Sequence, residues 1–144
     1  LLGWHQEDGY GKSIGDYPTN ESGLNGMTVW MPLMDVKEEN GALHIAIGSH
    51  KEPIVVAKEI QKSGMHSKLI KVPDEIVSKY EQVRAPLDRG YAVFFYNSFI
   101  HKSGENTSNR IRFSAVNRFH LASVSDFNPF KNTVTFQKRV EVGE

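Results

Sequence analysis

Arg110-Ile111-Arg112-Phe113-Ser114-Ala115 alternates in character along its length. Successive side chains of a strand point to opposite faces, so Arg112 and Ser114 share one side and Ile111 and Phe113 the other. A strand with polar residues on its inner face belongs to a barrel or sandwich that encloses a functional cavity. Its apolar outer face then needs cover from elsewhere in the protein. The chain starts at Leu1 with no initiator Met. It therefore reads as part of a longer protein, whose N-terminal helical region is the expected cover.

The same texture of short strands runs through the chain. Met27-Thr28-Val29-Trp30-Met31-Pro32-Leu33 reads as a strand and Lys37-Glu38-Glu39-Asn40-Gly41 as the turn after it. Asn-Gly favours the positive φ angles of tight turns. Ala42 to Ile47 forms the next strand, closed by Gly48-Ser49-His50. A short helix is expected near Lys58 to Lys62, and a second from Pro73 to about Val83. Pro is tolerated in a first helical turn, and the acids Asp74 and Glu75 suit a helix N-terminus. Gly90 to Tyr96 is a strongly apolar strand whose aromatic residues read as core, His101 and Arg110 to Phe119 lie on further strands, and Val134 to Val140 is a candidate edge strand. Many short strands with one or two helices predict an all-β-dominated fold, a jelly roll or double-stranded β-helix. No repeat, linker or low-complexity tract divides residues 1–144, so a single jelly-roll domain is expected.

The 144 residues, 39% hydrophobic and 24% charged, suit a soluble domain with a modest core. A formal net charge of zero gives no electrostatic ground for binding nucleic acid or a membrane surface. No apolar run approaches the roughly 20 residues of a transmembrane helix. Cysteine is absent, which excludes disulfides, thiolate zinc sites, iron–sulfur clusters and cysteine nucleophiles together. A reducing cytoplasm fits this composition. Any metal must be held by histidines and carboxylates.

Trp4-His5-Gln6-Glu7 supplies such ligands. On a strand His5 and Glu7 face the same way, and His101 is a distant second imidazole. Two histidines and a carboxylate make a facial triad, which holds Fe(II) on one side and leaves the opposite coordination positions open. Asp8 competes for the carboxylate role, but strand parity turns it to the other face unless a bulge intervenes. By itself a His-x-Glu pair has little specificity, because surface histidines beside acids are common. A second constellation adds to it: His101-Lys102-Ser103-Gly104-Glu105-Asn106, followed by Arg112. A 2-oxo acid brings a remote carboxylate, and the planar, permanently charged guanidinium is suited to grip one. Arg112 is the candidate, with Ser103 or Ser114 adding a hydroxyl. A structural ion pair between Arg112 and a nearby acid is the bland alternative.

Three blocks, in order, carry a family resemblance over nearly the whole chain. The first is Trp4-His5-Gln6-Glu7. The second runs from Val29-Trp30-Met31-Pro32-Leu33-Met34-Asp35 through Asn40-Gly41-Ala42-Leu43 to Gly48-Ser49-His50-Lys51. The third runs from Gly90-Tyr91-Ala92-Val93-Phe94-Phe95 through His101-x-Ser103 and Asn106 to Arg112. Together they resemble the phytanoyl-CoA dioxygenase-like group of Fe(II)/2-oxoglutarate-dependent oxygenases. The resemblance implies that His5, Glu7 and His101 bind Fe(II). It also implies that Arg112 holds the distal carboxylate of 2-oxoglutarate, with Trp30 and Ser103 lining the same pocket. The implied activity is a dioxygenase that consumes O₂ and 2-oxoglutarate, hydroxylates a C–H bond of a small molecule, and releases succinate and CO₂. Two departures stand out: the family usually has Asp in place of Glu7, and Tyr91 rather than Asp follows Gly90. The carboxylate retained in the first block points away from the related halogenases. A non-catalytic jelly-roll module that binds a small ligand through the Arg112 pocket is the alternative.

The remaining histidines lie in different surroundings. His44 lies on a strand where Leu43, Ile45 and Ile47 face the other way, so it is a candidate substrate contact near Trp30 or a satisfied buried imidazole. His50, at a strand-ending turn, reads as structural. His66 and His120 have no partner at ligand spacing. The long stretch from Gly9 to Gly26, directly after the proposed ligands, is where a substrate-recognition loop is expected.

Overall fold

The computed structural model describes residues 3–7, 26–52, 58–60 and 69–120. Asp8, His66, most of the Gly9 to Gly26 stretch and the strand expected over Val134 to Val140 lie outside them. The described chain is mostly β, as expected of a double-stranded β-helix.

β1 (Gly26–Pro32) is rich in the β-branched and aromatic residues that favour a half-buried pleat. It forms the centre of a three-stranded antiparallel sheet, between β6 (Val93–Tyr96) and β8 (Ser114–His120). The register sets Thr28 opposite Phe95 and Arg118, and Trp30 opposite Val93 and Val116. These residues share one face and turn inward. β2 (Leu43–Ala46) is the centre of a second antiparallel sheet, flanked by β5 (Gln82–Ala85) and β7 (His101–Ser103). Between the sheets lies a core of Trp30, Val36, Ala42, Leu43 and Phe95, against which Ile45, Ala85 and Val93 also pack. A second apolar cluster forms on the outer side of β2, where Ala46, Trp4, Ile100 and Val72 meet Val77 of the short helix α1 (Asp74–Val77). β2 thus feeds both clusters by alternation, with Leu43 to one and Ala46 to the other.

Two glycines carry the close approaches. Gly41 has φ +94°, a conformation costly for any residue with a Cβ, and it closes the predicted Asn-Gly turn. The Asn40 side chain holds that turn by accepting from the Lys37 amide at 2.7 Å and donating to the Asp35 carbonyl at 3.0 Å. At Gly104 a Cβ would come within 2.4 Å of the Ala42 carbonyl oxygen, so only glycine allows the strand end to press against β2.

Three local expectations are corrected. Lys58–Ile60 is not helical; it is strand β3, paired antiparallel with β4 (Leu69–Lys71). A ladder of inter-strand hydrogen bonds outweighs the weak helical preference of a few lysines and a glutamate. The helix opened by Pro73 stops at Val77 instead of reaching Val83, because Val83 and Ala85 are taken by β5 to pair with Ile45 and Leu43. A single turn has little stability of its own; α1 is held by Val77, 2% exposed in the outer cluster. Finally, of the aromatic run in β6 only Phe95 is core, while Phe94 and Tyr96 are exposed.

The strand expected from Arg110 begins only at Ser114, as β8, yet the sidedness read for residues 111–114 holds. Ile111 and Phe113 are 73% and 59% exposed, and Phe94 and Phe119 are exposed as well. Among those residues, no helix is long and apolar enough to cross a membrane.

Candidate active site

His5 and His101 form a narrow antiparallel bridge, each amide donating to the other's carbonyl at 3.0 and 3.1 Å. Directly paired residues project to the same face, and the two imidazole rings lie 4.3 Å apart between centroids. Two residues on, the Glu7 amide donates to the Asn97 carbonyl at 2.9 Å, which keeps Glu7 on the face that carries His5. Gln6 points the opposite way and donates to the Ser98 carbonyl at 2.6 Å. All three site residues are buried: His5 and His101 are 5% exposed and Glu7 9%. Their potential ligand atoms lie within 4.8 Å of one another.

The donor set is arranged for a cation. His5 Nδ1 contacts the Gly3 carbonyl at 2.8 Å and His101 Nδ1 the Phe99 carbonyl at 3.0 Å. A carbonyl at Nδ1 engages that nitrogen's proton and leaves Nε2 as the ring atom that can serve a metal. His101 Nε2 stands 3.4 Å from Glu7 Oε1. Burial, then the neighbouring His101, lowers the pKa of His5 to about 4, so it is neutral near pH 7, as a ligand must be. At Glu7 burial pushes the pKa upward, but the hydrogen bond with His101 and the charge of Arg118 outweigh it and bring it to about 2. Two imidazoles and one ionised carboxylate, buried together, fit Fe(II) well.

These residues form one wall of a cavity of about 340 Å³. Trp30, Leu43, Phe95 and Val116 give it an apolar lining, and Ser103, Arg112 and Ser114 a polar end. Among the described residues Arg112 forms no ion pair with an acid, contrary to the bland alternative. Its Nη2 donates to Ser103 Oγ at 3.1 Å, its Nη1 donates to the Gly41 carbonyl, and its guanidinium lies 5.8 Å from the centre of the Trp30 ring. Burial lowers its pKa, yet it stays charged at any ordinary pH.

His44 is not part of this cavity. It lines a separate cleft of about 470 Å³ with Glu38, Glu39, Arg84, Glu105 and Thr107, and its ring lies 6.3 Å from that of Trp4. The parity was right and the side was wrong: Leu43 faces the cavity, so His44 faces away from it. His50 sits in the 3-10 turn Ser49–Lys51, its carbonyl accepting from Ser98 Oγ, away from the site.

A profile of the phytanoyl-CoA dioxygenase (PhyH) family matches residues 2–114, most of the chain. The chain belongs to the phytanoyl-CoA dioxygenase family. Solved structures share its fold. The epimerase SnoN from nogalamycin biosynthesis, in complex with Fe3+, alpha-ketoglutarate and nogalamycin RO, aligns over 95% of this chain and 50% of its own, with TM-score 0.60 and 21% identity. The alpha-ketoglutarate-dependent carbocyclase SnoK aligns over 83% of this chain and 42% of its own, with TM-score 0.57 and 24% identity. EvdO2 from Micromonospora carbonacea var. aurantiaca aligns over 81% and 43%, with TM-score 0.58 and 22% identity. The chain spans half or less of the length of these structures. No curated protein matches.

One residue of this family member's site went unread in its sequence. Arg118 reaches in from β8 and donates from Nε to Glu7 Oε2 at 2.7 Å. The signal was available: Ser114, Val116 and Arg118 continue the alternation that begins at Arg112, and all four line the cavity.

Proposed function

We propose that this chain is an Fe(II)/2-oxoglutarate-dependent oxygenase that hydroxylates a C–H bond of a small-molecule substrate. The observation that carries the reading is the convergence of His5, Glu7 and His101 on the wall of a cavity whose other end holds Arg112. When bound, iron and 2-oxoglutarate supply the oxidising power, with O₂ consumed and succinate and CO₂ released. His5, Glu7 and His101, on the cavity wall, would hold the metal. Arg112 grips the distal carboxylate of 2-oxoglutarate, with Ser103 beside it and Trp30 beneath the guanidinium. Leu43, Phe95 and Val116 keep water away from the reacting centre and supply an apolar surface for substrate.

Hydroxylation is the default outcome for an oxygenase of this kind. The fold relatives described as an epimerase and a carbocyclase bring stereochemical inversion and ring closure to this chain as alternative outcomes. The non-catalytic module needs a misplaced Glu7, and the 3.4 Å contact with His101 gives it no support.

The test is anaerobic addition of Fe(II) and 2-oxoglutarate to the metal-free protein, followed by visible absorption. A weak charge-transfer band, lost in Glu7→Ala and in Arg112→Ala, is expected. Absence of the band from folded wild-type protein refutes the oxygenase reading.

A further inference from the structure

We propose that Arg118 is a positioning residue that holds Glu7 in a one-oxygen ligand geometry. The inference rests on the iron reading of His5, Glu7 and His101. Both Arg118 contacts fall on the same carboxylate oxygen, Oε2: Nε at 2.7 Å and Nη2 at 2.5 Å. The other oxygen, Oε1, faces His101 Nε2 at 3.4 Å. The two oxygens thus have separate duties, Oε2 toward the guanidinium and Oε1 toward the triad.

The division has a chemical purpose. A glutamate carboxylate turns about three side-chain bonds and can offer a metal either one oxygen or both. Two-oxygen ligation would occupy a further coordination position, on a metal that must accept a cosubstrate and O₂. A cation locked onto Oε2 blocks that mode. The backbone of Glu7 is fixed independently by Asn97, whose side-chain oxygen accepts from Thr28 Oγ1 at 3.0 Å, and Thr28 is the register partner of Arg118. Glu7 is therefore held at its amide by Asn97, just past β6, and at one carboxylate oxygen by Arg118 of β8, on the far side of β1. Hydrogen-bonded partners of ligating carboxylates commonly matter to metal affinity almost as much as the ligands do. The Arg118 side chain is 51% exposed, so solvent screens its repulsion of an incoming cation while the short contacts to Oε2 persist.

Because both nitrogens bond one oxygen, the planar fork is not required, and a single ammonium can replace it. The test uses Co(II) as a spectroscopic probe, titrated into the metal-free full chain of wild type, Arg118→Met, Arg118→Lys and His101→Ala. Circular dichroism checks that each is folded. Arg118→Met is expected to bind Co(II) about 10- to 100-fold more weakly, with a d–d absorption band changed in position and intensity. Arg118→Lys is expected to keep the wild-type band and to lie within a few-fold of wild-type affinity. A role confined to stability would leave the band of the bound fraction unchanged. Wild-type affinity and band in Arg118→Met, or tighter binding, overturns the proposal. Wild-type protein that takes up no Co(II), or that binds it equally well as His101→Ala, overturns the iron reading and this inference with it.

Discussion

Replacing Arg112 by Met removes a charge and two hydrogen bonds from the polar end of the cavity, and the structure separates the consequences. The guanidinium donates to Ser103 Oγ and to the Gly41 carbonyl. A carboxylate brought to it gains charge-assisted hydrogen bonds worth about 1.5–3 kcal/mol. At about 1.4 kcal/mol per tenfold, loss of that interaction weakens 2-oxoglutarate binding roughly 10- to 100-fold. Folding suffers separately. Gly41 is buried, and a buried carbonyl that loses its donor costs about 1–3 kcal/mol. Arg112→Lys keeps the charge, but one ammonium cannot serve Gly41, Ser103 and a carboxylate together. It is expected to fall between wild type and Met in both measurements. Ser103→Ala removes one acceptor and costs less than about 1 kcal/mol of stability. The assay is anaerobic calorimetric titration of 2-oxoglutarate into Co(II)-loaded protein, with urea unfolding of the same variants. Wild-type affinity in Arg112→Met places the carboxylate anchor elsewhere. Equal binding by Lys and Arg refutes the argument from the fork.

Acid titration of the metal-free protein reads the triad directly. His5 has its pKa lowered from 6.5 to about 4, so below pH 6.5 the unfolded chain takes up a proton that the folded state resists. Stability then falls between pH 6.5 and 4 by up to about 3 kcal/mol. Glu7, lowered from 4.5 to about 2, contributes stability that is present above pH 4.5 and lost as pH falls toward 2. Urea midpoints that stay level from pH 7 to 4.5 refute the burial of a neutral His5. Gly104→Ala should destabilise by about 1–3 kcal/mol, since its Cβ would meet the Ala42 carbonyl oxygen at 2.4 Å and backbone cannot yield as a side chain does. Unchanged urea stability contradicts that close approach. His101→Ala should abolish tight Co(II) binding while the protein stays folded, because the His5–His101 bridge is made by backbone groups alone. Retained binding refutes the assignment of His101 as a ligand.

Much of the cavity was legible from alternation. Arg112 and Ser114 sharing a face, with Ile111 and Phe113 opposite, follows from strand geometry and holds in the fold. The glycine needed at residue 41 was legible from the Asn-Gly turn. Less was legible where local preference met long-range pairing. Lys58 to Lys62 has ordinary helix-forming residues, and only the neighbouring strand β4 makes the extended form better. The residues after Val77 could continue a helix, but β2 needs a partner along Val83 and Ala85. His44 shows a different limit. Period-two alternation sorts residues into two faces and does not say which face looks inward. That choice depends on where Leu43 and Ile45 find a second sheet to pack on.

By itself the chain determined its chemistry and its pleat. With no cysteine it offers a metal only imidazoles and carboxylates, and the spacing of His5 and Glu7 sets them on one face wherever the segment is extended. Tertiary structure alone decided that His101 pairs with His5, that Asn97 holds the Glu7 amide, and that Arg118 closes on the Glu7 carboxylate. Those partners lie far apart along the chain, and strand register, not local sequence, brings them together. Register is set by burial of Trp30, Leu43 and Phe95 between the two sheets. A slip of one residue would turn Arg112 and Arg118 outward and leave the cavity without either cation.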